Sequence, residues 1–219
     1  MKENGKTSFN YIRIIWSYLQ VIIVAFIIVF GFIRPFVVEA FKIPSGSMED
    51  TLLVGDRILV CKFMYGVKIP GIEHRLFDFH KPQRGDVIVF IPPHDRKRNF
   101  IKRVVGVGTD TIETRNRGRT LYVSKMPDND DNYVKHTRYT SDSLPYLPHK
   151  VPEGYLYAMG DNRGNSQDSR FWGPVDIDDV KGQAFMIYWS YDAENSRWNI
   201  FKNIRFGRLL SVIDSEKIP

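Results

Sequence analysis

The first part of the chain is apolar and free of charge over a long stretch. Residues 14–33 contain no Asp, Glu, Lys, Arg or His. Twenty helical residues at ~1.5 Å each rise about 30 Å, which matches the hydrocarbon core of a bilayer. A cleaved leader has an apolar region of only about 7–15 residues followed by a small-residue cleavage site, whereas FIRPF at 32–36 lacks such a site. The pattern therefore predicts an uncleaved transmembrane helix.

Beyond this stretch, short runs rich in Val, Ile, Phe and Tyr alternate with turn signals such as Pro-Pro at 92–93 and Pro-Glu-Gly at 152–154. No long segment after residue 33 has the 3.6-residue periodicity of an amphipathic helix. The runs predicted to be strands are 57–63, 86–91, 100–105, 120–123, 155–159 and 183–188. The pattern predicts a mostly β domain behind a single transmembrane helix.

The segment 107–153 differs from the rest, because it holds an acidic polar loop and several prolines but no candidate chemistry. We expect it to be a smaller inserted lobe. Lys and Arg outnumber acidic residues in 1–13, which by the positive-inside tendency places this end in the cytoplasm. The predicted order is 1–13 cytoplasmic, 14–33 transmembrane and 34–219 extracytoplasmic. The sequence thus predicts a single-pass protein of the cell membrane.

The charge of the chain favours a lipid surface over nucleic acid as its partner. The formal net charge is +6, but the basic residues are dispersed and no nucleic-acid-binding motif is present. Aromatic residues make up 14% of the chain, which excludes a disordered tail behind the apolar stretch. The single cysteine, Cys61, rules out an intrachain disulfide, and its apolar neighbours predict a buried strand residue.

A candidate nucleophile, Ser47, follows the apolar stretch within the sequence PSGSM. A serine hydroxyl is a weak nucleophile and needs a base to accept its proton. The five histidines are scattered through polar, loop-like contexts and match no catalytic or metal-binding spacing. We therefore expect neither a histidine base nor a metal.

Lysine can act as the base if burial lowers its pKa. The best candidate is Lys102, which strand alternation places on one face with Phe100 and Val104. An unpaired cation on an apolar face is costly, so this placement favours a neutral amine. An edge strand whose lysine reaches out to water fits the pattern equally well, and Arg103 has equally apolar neighbours. Alternation alone leaves both interpretations open.

Four sequence blocks occur in the order FKIPSGSMEDTL at 41–52, RGDVIVF at 84–90, NFIKRVVG at 99–106 and GDNRGNSQDSRFWGPV at 160–175. Together they closely resemble the bacterial type I signal peptidases, a family of membrane-bound Ser-Lys proteases. The resemblance covers the apolar stretch and most of the chain outside 107–153. It implies an antiparallel β-sheet catalytic domain with a smaller inserted β lobe. One departure is Asp50, which stands where the family often has proline.

The resemblance assigns roles to individual residues. It implies that Ser47 is the nucleophile and Lys102 the general base. The hydroxyl of Ser45 would join the Ser47 amide in an oxyanion hole, and Ser166 would hydrogen-bond and orient the lysine. A supporting charged pair would consist of Asp168 and Arg170. Positions that match apolar substrate subsites are Phe41, Ile43, Met48, Leu52 and Ile101, for which a place in the ordinary core is the alternative.

The implied function is removal of signal peptides from exported preproteins, by cleavage after small residues in an Ala-x-Ala pattern and without a cofactor. Two other functions remain to be separated from it. One is a catalytically inactive membrane-anchored scaffold. The other is a self-cleaving Ser-Lys protein like the soluble repressors, which predicts an upstream DNA-binding module where this chain has an apolar stretch.

Overall fold

The computed structural model describes residues 4–33, 37–66, 80–115, 120–125, 134–136, 149–192 and 203–215. The chain divides into two compact units, Met1–Glu39 and Ala40–Pro219. The first consists mainly of one long helix, and the second holds the strands.

The helix α1 spans Asn4–Ile27 and continues as a π-helical segment over Ile28–Ile33. It contains a stretch, Arg13–Gly31, that is long and apolar enough to cross a membrane. The side chains of this stretch are exposed all round. A helix that is apolar on every face needs apolar surroundings, so length, composition and exposure all fit the predicted membrane helix.

The second unit is built on two antiparallel sheets. The main sheet consists of β1 (Val38–Lys42), β2 (Asp56–Cys61), β3 (Val87–Phe90), β4 (Phe100–Val107), β9 (Tyr155–Met159), β10 (Val175–Asp176), β11 (Val180–Ser190) and β12 (Ser211–Val212). Their order is β1-β2-β11-β3-β4-β9-β10, with β12 paired to β11. The smaller sheet consists of β5 (Asp110–Arg115), β6 (Thr120–Lys125), β7 (Val134–His136) and β8 (His149–Lys150), in the order β7-β6-β5-β8.

The mostly β, antiparallel fold class is confirmed. β9 has the predicted bounds. The other five predicted runs also form strands, and each of their ends lies within three residues of the predicted end. The smaller sheet lies within the segment 107–153, where only one strand was predicted. Cys61 lies in β2 as expected, but its side chain is partly exposed rather than buried.

The centre of the main sheet is buried on both faces. Val87 and Val89 of β3 belong to one hydrophobic cluster, while Ile88 and Phe90 belong to another. Because successive side chains of a strand point to opposite faces, this short continuous apolar run lies between two cores. β3 pairs with β4 in the register Ile88 to Lys102, so the candidate lysine lies beside the most buried strand.

The RGD sequence before β3 connects this strand to its surroundings. The guanidinium of Arg84 donates two hydrogen bonds to Asp110 at the start of β5, over 2.8 and 2.5 Å. Asp86 accepts hydrogen bonds from the Tyr65 hydroxyl and the Gln183 amide, each over 2.7 Å. These polar groups are satisfied by one another and fix where β3 begins.

A buried ion pair joins β4 to the segment after β9. The guanidinium of Arg103 donates to Asp161 over 2.9 and 2.8 Å, and both side chains are 0% exposed. Arg103 also donates to the carbonyl oxygens of Gly85 and Asp214, while the Thr51 hydroxyl donates to Asp161 over 2.6 Å. The pair therefore connects five separate segments.

We predict that Asp161→Ala lowers the free energy of unfolding by about 3–5 kcal/mol, because it leaves the Arg103 guanidinium buried without its counter-charge. The urea midpoint of the domain in detergent, followed by tryptophan fluorescence, measures the loss. Asp95→Ala is the matched control, since it breaks an exposed pair with Arg98 and leaves the midpoint near that of the unmodified protein. Equal midpoints for the two variants would contradict a structural role for the buried pair.

Candidate active site

Ser47 lies in a short turn between β1 and β2. Ser45 is extended, with φ −138° and ψ 156°, and a 3-10 turn follows over Gly46–Met48. Met48 is fully buried and its carbonyl oxygen accepts from the amide of Leu52 over 2.7 Å, which anchors the turn to the core. Ser47 itself remains partly exposed. Asp50 stands where the family that the sequence resembles often has proline. Its φ is +89°, which a proline ring cannot adopt.

Lys102 of β4 points at this serine. Its Nζ donates a hydrogen bond to Ser47 Oγ over 2.6 Å, although the two residues are 55 positions apart. The lysine is 4% exposed, and its Nζ lies 5.8 Å from the ring centroid of Phe100, two residues earlier on the strand. Burial lowers the pKa of Lys102 from 10.5 to about 8, because an ammonium ion loses its hydration there.

The two neighbouring cations of β4 have different surroundings. Arg103 is bound to Asp161 in a buried ion pair, which gives it a structural role. Within the described part of the chain, Lys102 forms no ion pair. Asp168 and Asp161 lie near enough to raise its pKa, but desolvation outweighs them. The contacts therefore distinguish Lys102 from Arg103, which the sequence pattern did not.

A second buried ion pair lies beside the candidate dyad. Arg170 donates to Asp168 through Nε over 2.6 Å and through Nη2 over 2.8 Å, in a bidentate pair with 2% and 0% of the side chains exposed. Asp168 also caps the helical turn α2 (Ser169–Trp172) and accepts from the Gly160 amide over 2.9 Å. This carboxylate therefore accepts hydrogen bonds from three residues of the loop after β9, Gly160, Ser166 and Arg170.

Ser166 is buried, and its hydroxyl donates to Asp168 over 2.7 Å. The hydrogen bond of Lys102 runs to Ser47 instead. Ser166 and Ser45 nevertheless line the same cavity as the candidate dyad. The structure thus brings all six predicted polar residues into one region around the Ser47 turn, β4 and the loop after β9.

This cavity has a volume of about 710 Å³ and is lined by residues 44–47, 98–102, 164–167 and Phe171. Of the five residues predicted to line apolar subsites, only Ile101 is among them. Ile43, Met48 and Leu52 are at most 1% exposed and belong to a hydrophobic cluster beneath the turn. Phe41 is partly buried and packs against that cluster.

Gly160 is a functional position that the sequence signalled only as part of a matched block. A Cβ atom here would collide with the carbonyl oxygen of Ser47 and the hydroxyl oxygen of Ser166. Two residues later, the backbone N–H of Asn162 donates to the same Ser47 carbonyl oxygen over 3.2 Å. The loop after β9 therefore packs directly on the backbone of the candidate nucleophile, which requires a residue without a side chain.

Comparison with known proteins gives concordant matches. The family described as "Signal peptidase, peptidase S26" matches residues 15–189. The signal peptidase I of Pseudomonas fluorescens is 36% identical over 73% of this chain and 67% of its own length. That of Buchnera aphidicola from Acyrthosiphon pisum is 30% identical over 96% of this chain and 84% of its own. A solved signal peptidase I from Enterococcus faecalis covers 48% of this chain at 30% identity, with a TM-score of 0.34.

We predict that Gly160→Ala lowers the turnover of a peptide substrate by about 100-fold, because the methyl group displaces the Ser47 carbonyl and misplaces the hydroxyl. Turnover and thermal unfolding are measured together in detergent. Gly207→Ala is the control, since nothing lies within 4 Å of the Cβ it adds. Unchanged turnover in Gly160→Ala would refute the close packing of this loop on the nucleophile turn.

Proposed function

This chain belongs to the signal peptidase family, peptidase S26, and is a serine endopeptidase; we propose that it removes signal peptides from exported preproteins through a Ser47–Lys102 dyad. The observation that carries this proposal is the 2.6 Å hydrogen bond from a buried lysine amine to the serine hydroxyl. A lysine with a pKa of about 8 is neutral in roughly a quarter of molecules at pH 7.5, against about 0.1% for an ordinary lysine. Burial therefore supplies a usable base.

The chemistry follows from the positions of these two groups. The neutral amine of Lys102 takes the Ser47 proton as Oγ attacks the scissile carbonyl carbon, so a tetrahedral oxyanion and an ammonium ion form together. The ammonium ion then gives its proton to the leaving amine as the peptide bond breaks and the acyl-enzyme forms. The neutral Lys102 then takes a proton from a water molecule as the water oxygen attacks the ester carbonyl carbon. The ammonium ion returns this proton to Ser47 Oγ as the ester bond breaks, which restores the serine and the neutral amine. Apart from this water, the proton transfers use only the side chains of Ser47 and Lys102.

The Ser47 amide and the Ser45 hydroxyl are the proposed oxyanion donors. Preorganised donors of this kind are typically worth several kcal/mol in the transition state. Ser45 lies at the edge of the cavity in extended conformation, before the turn that carries Ser47. We assign Ser166, Asp168 and Arg170 a positioning role, because their mutual hydrogen bonds fix the cavity wall opposite the dyad.

The substrate would lie extended in the cavity between residues 44–47 and 98–102, with backbone hydrogen bonds as in an added strand. Ile101 is the apolar contact that the cavity offers from the predicted set. The side chains of Ile43, Met48 and Leu52 do not line the cavity; they are buried and fill the space under the Ser47 turn. A filled floor leaves shallow subsites, which suits cleavage after small residues in an Ala-x-Ala pattern.

The stretch Arg13–Gly31 supports membrane attachment. We propose that it crosses the cell membrane with residues 1–13 in the cytoplasm and 34–219 outside, and that 107–153 forms an inserted lobe. Enzyme and preprotein held in one bilayer meet at a raised effective concentration. The lipid bilayer and the exported preproteins are the partners in this proposal, which needs neither nucleic acid nor metal.

We predict that Ser47→Ala and Lys102→Ala each lower cleavage of a preprotein with an Ala-x-Ala site by at least about 10³-fold, because each removes one half of the proton transfer. Cleavage is followed by gel and the new N-terminus by sequencing. Lys97→Ala, at an exposed lysine outside the cavity, keeps full activity. A preprotein with Phe in place of the last Ala is not cut.

Two outcomes would reject the proposal. If the unmodified protein fails to cut the preprotein in detergent or liposomes, the inactive scaffold is favoured. If either dyad variant keeps the unmodified turnover, the cleavage belongs to other residues.

The pH dependence of kcat/KM follows from the lowered pKa of Lys102. The free enzyme needs the neutral amine, so log(kcat/KM) rises with a slope of one as pH increases and levels off above about pH 8. Below that pH the proton remains on Nζ and blocks its role as base. The profile is measured from pH 6 to pH 10 on a peptide without ionisable side chains. A flat profile between pH 6.5 and pH 9 would exclude a titrating lysine base.

A further inference from the structure

Asn162 is held firmly beside the nucleophile turn by its neighbours in the chain. Asp161 is bound to Arg103, and the Nε of Arg163 donates to the carbonyl oxygen of Gly160 over 3.0 Å. Both flanking side chains are buried, while Asn162 is itself half-buried at the start of the 3-10 turn Arg163–Asn165. The backbone of Asn162 is therefore held in place, and its amide side chain extends from a fixed position.

Among the residues that the structure describes, Asn162 donates its hydrogen bonds to the turn that carries Ser47 and to Glu49 directly after it. Its Nδ2 donates to the carbonyl oxygen of Gly46 over 3.0 Å and to Glu49 Oε2 over 3.1 Å. Its backbone N–H donates to the carbonyl oxygen of Ser47 over 3.2 Å. The residue thus binds the carbonyl groups on both sides of the nucleophile.

The contact with Gly46 bears on the Ser47 amide because both belong to one peptide group. That group is planar and trans, so its C=O and N–H point in opposite directions. Holding the Gly46 oxygen on one side fixes the direction of the Ser47 N–H on the other. The Glu49 amide donates to the same oxygen over 3.1 Å, and acceptance of hydrogen bonds polarises the group and strengthens its N–H as a donor.

We propose that Asn162 is a positioning residue that aims the Ser47 amide at the developing oxyanion. This rests on the proposed function, because the amide matters only if Ser47 attacks a carbonyl group. A neutral side chain that donates is required here. Aspartate has the same shape, but it donates nothing to Gly46 and adds a second carboxylate beside Glu49.

The test uses Asn162→Asp and Asn162→Ala in the full chain, in detergent. We expect kcat to fall about 10- to 100-fold with little change in KM, because the donor remains but is poorly aimed; deletion of a whole oxyanion donor typically costs about 10²–10³. The pH profile of Asn162→Ala keeps its midpoint, since this variant changes no charge near Lys102. Asp176→Ala is the matched control, because it removes a side-chain hydrogen bond at the start of another 3-10 turn outside the cavity.

Two inhibitors with the same peptide sequence distinguish a positioning role of Asn162 from a merely structural one. A peptide aldehyde with Ala-x-Ala forms a tetrahedral adduct that carries an oxyanion, whereas a reduced-amide analogue with CH₂–NH at the scissile bond carries none. In the Asn162 variants we expect aldehyde affinity to fall by about the factor seen in kcat, and reduced-amide affinity to stay unchanged. This comparison uses only folded, ligand-binding protein.

The proposal is overturned if both Asn162 variants keep the unmodified kcat, or if the two affinities fall in parallel. Failure of the proposed function looks different: the unmodified protein itself does not cleave, or Ser47→Ala cleaves equally well. A low kcat with an intact reduced-amide affinity supports the positioning role.

Discussion

The desolvated amine of Lys102 is the constraint on which the rest of the site depends. A buried lysine is a base only if nearby carboxylates do not hold its proton, and two buried carboxylates, Asp161 and Asp168, lie close enough to raise its pKa. Each of them is bound bidentately by a buried arginine, Arg103 and Arg170. These pairs give both negative charges a partner other than Lys102, so desolvation remains the dominant effect on its pKa.

The loop after β9 contributes both to the position of Ser47 and to the ion pairs near Lys102. Its first half binds the nucleophile turn through Gly160 and Asn162, and its second half supplies the cavity wall and the Asp168–Arg170 pair. Asp161, between Gly160 and Asn162, binds Arg103 of β4, the strand that also carries Lys102. One loop is therefore bound both to the turn that carries Ser47 and, through Arg103, to the strand that carries Lys102. For this reason we expect stability and site geometry to respond to the same substitutions.

Much of the fold was accessible from the sequence, because apolar runs bounded by turn signals mark the long strands well. The two-residue strands β8, β10 and β12 are too short to give a pattern, and β5 carries Thr, Glu and Arg at positions that resemble a polar loop. The proposed dyad needed the family resemblance, since Lys102 and Arg103 have similarly apolar neighbours in the sequence. They are distinguished by long-range partners, Ser47 for Lys102 and Asp161 for Arg103. The burial of Ile43, Met48 and Leu52 likewise depends on long-range packing.

The packed floor beneath the Ser47 turn has a consequence for attempts to broaden specificity. Met48 and Leu52 are fully buried in the same cluster that joins β2, β3 and β11, so they belong to the folding core as much as to the active-site region. Trimming either to alanine to admit a larger residue would open a void and cost about 2–5 kcal/mol. The proposed selectivity for small side chains is thus tied to the integrity of the protein, and a variant with a deeper pocket would need its hydrophobic interior redesigned with it.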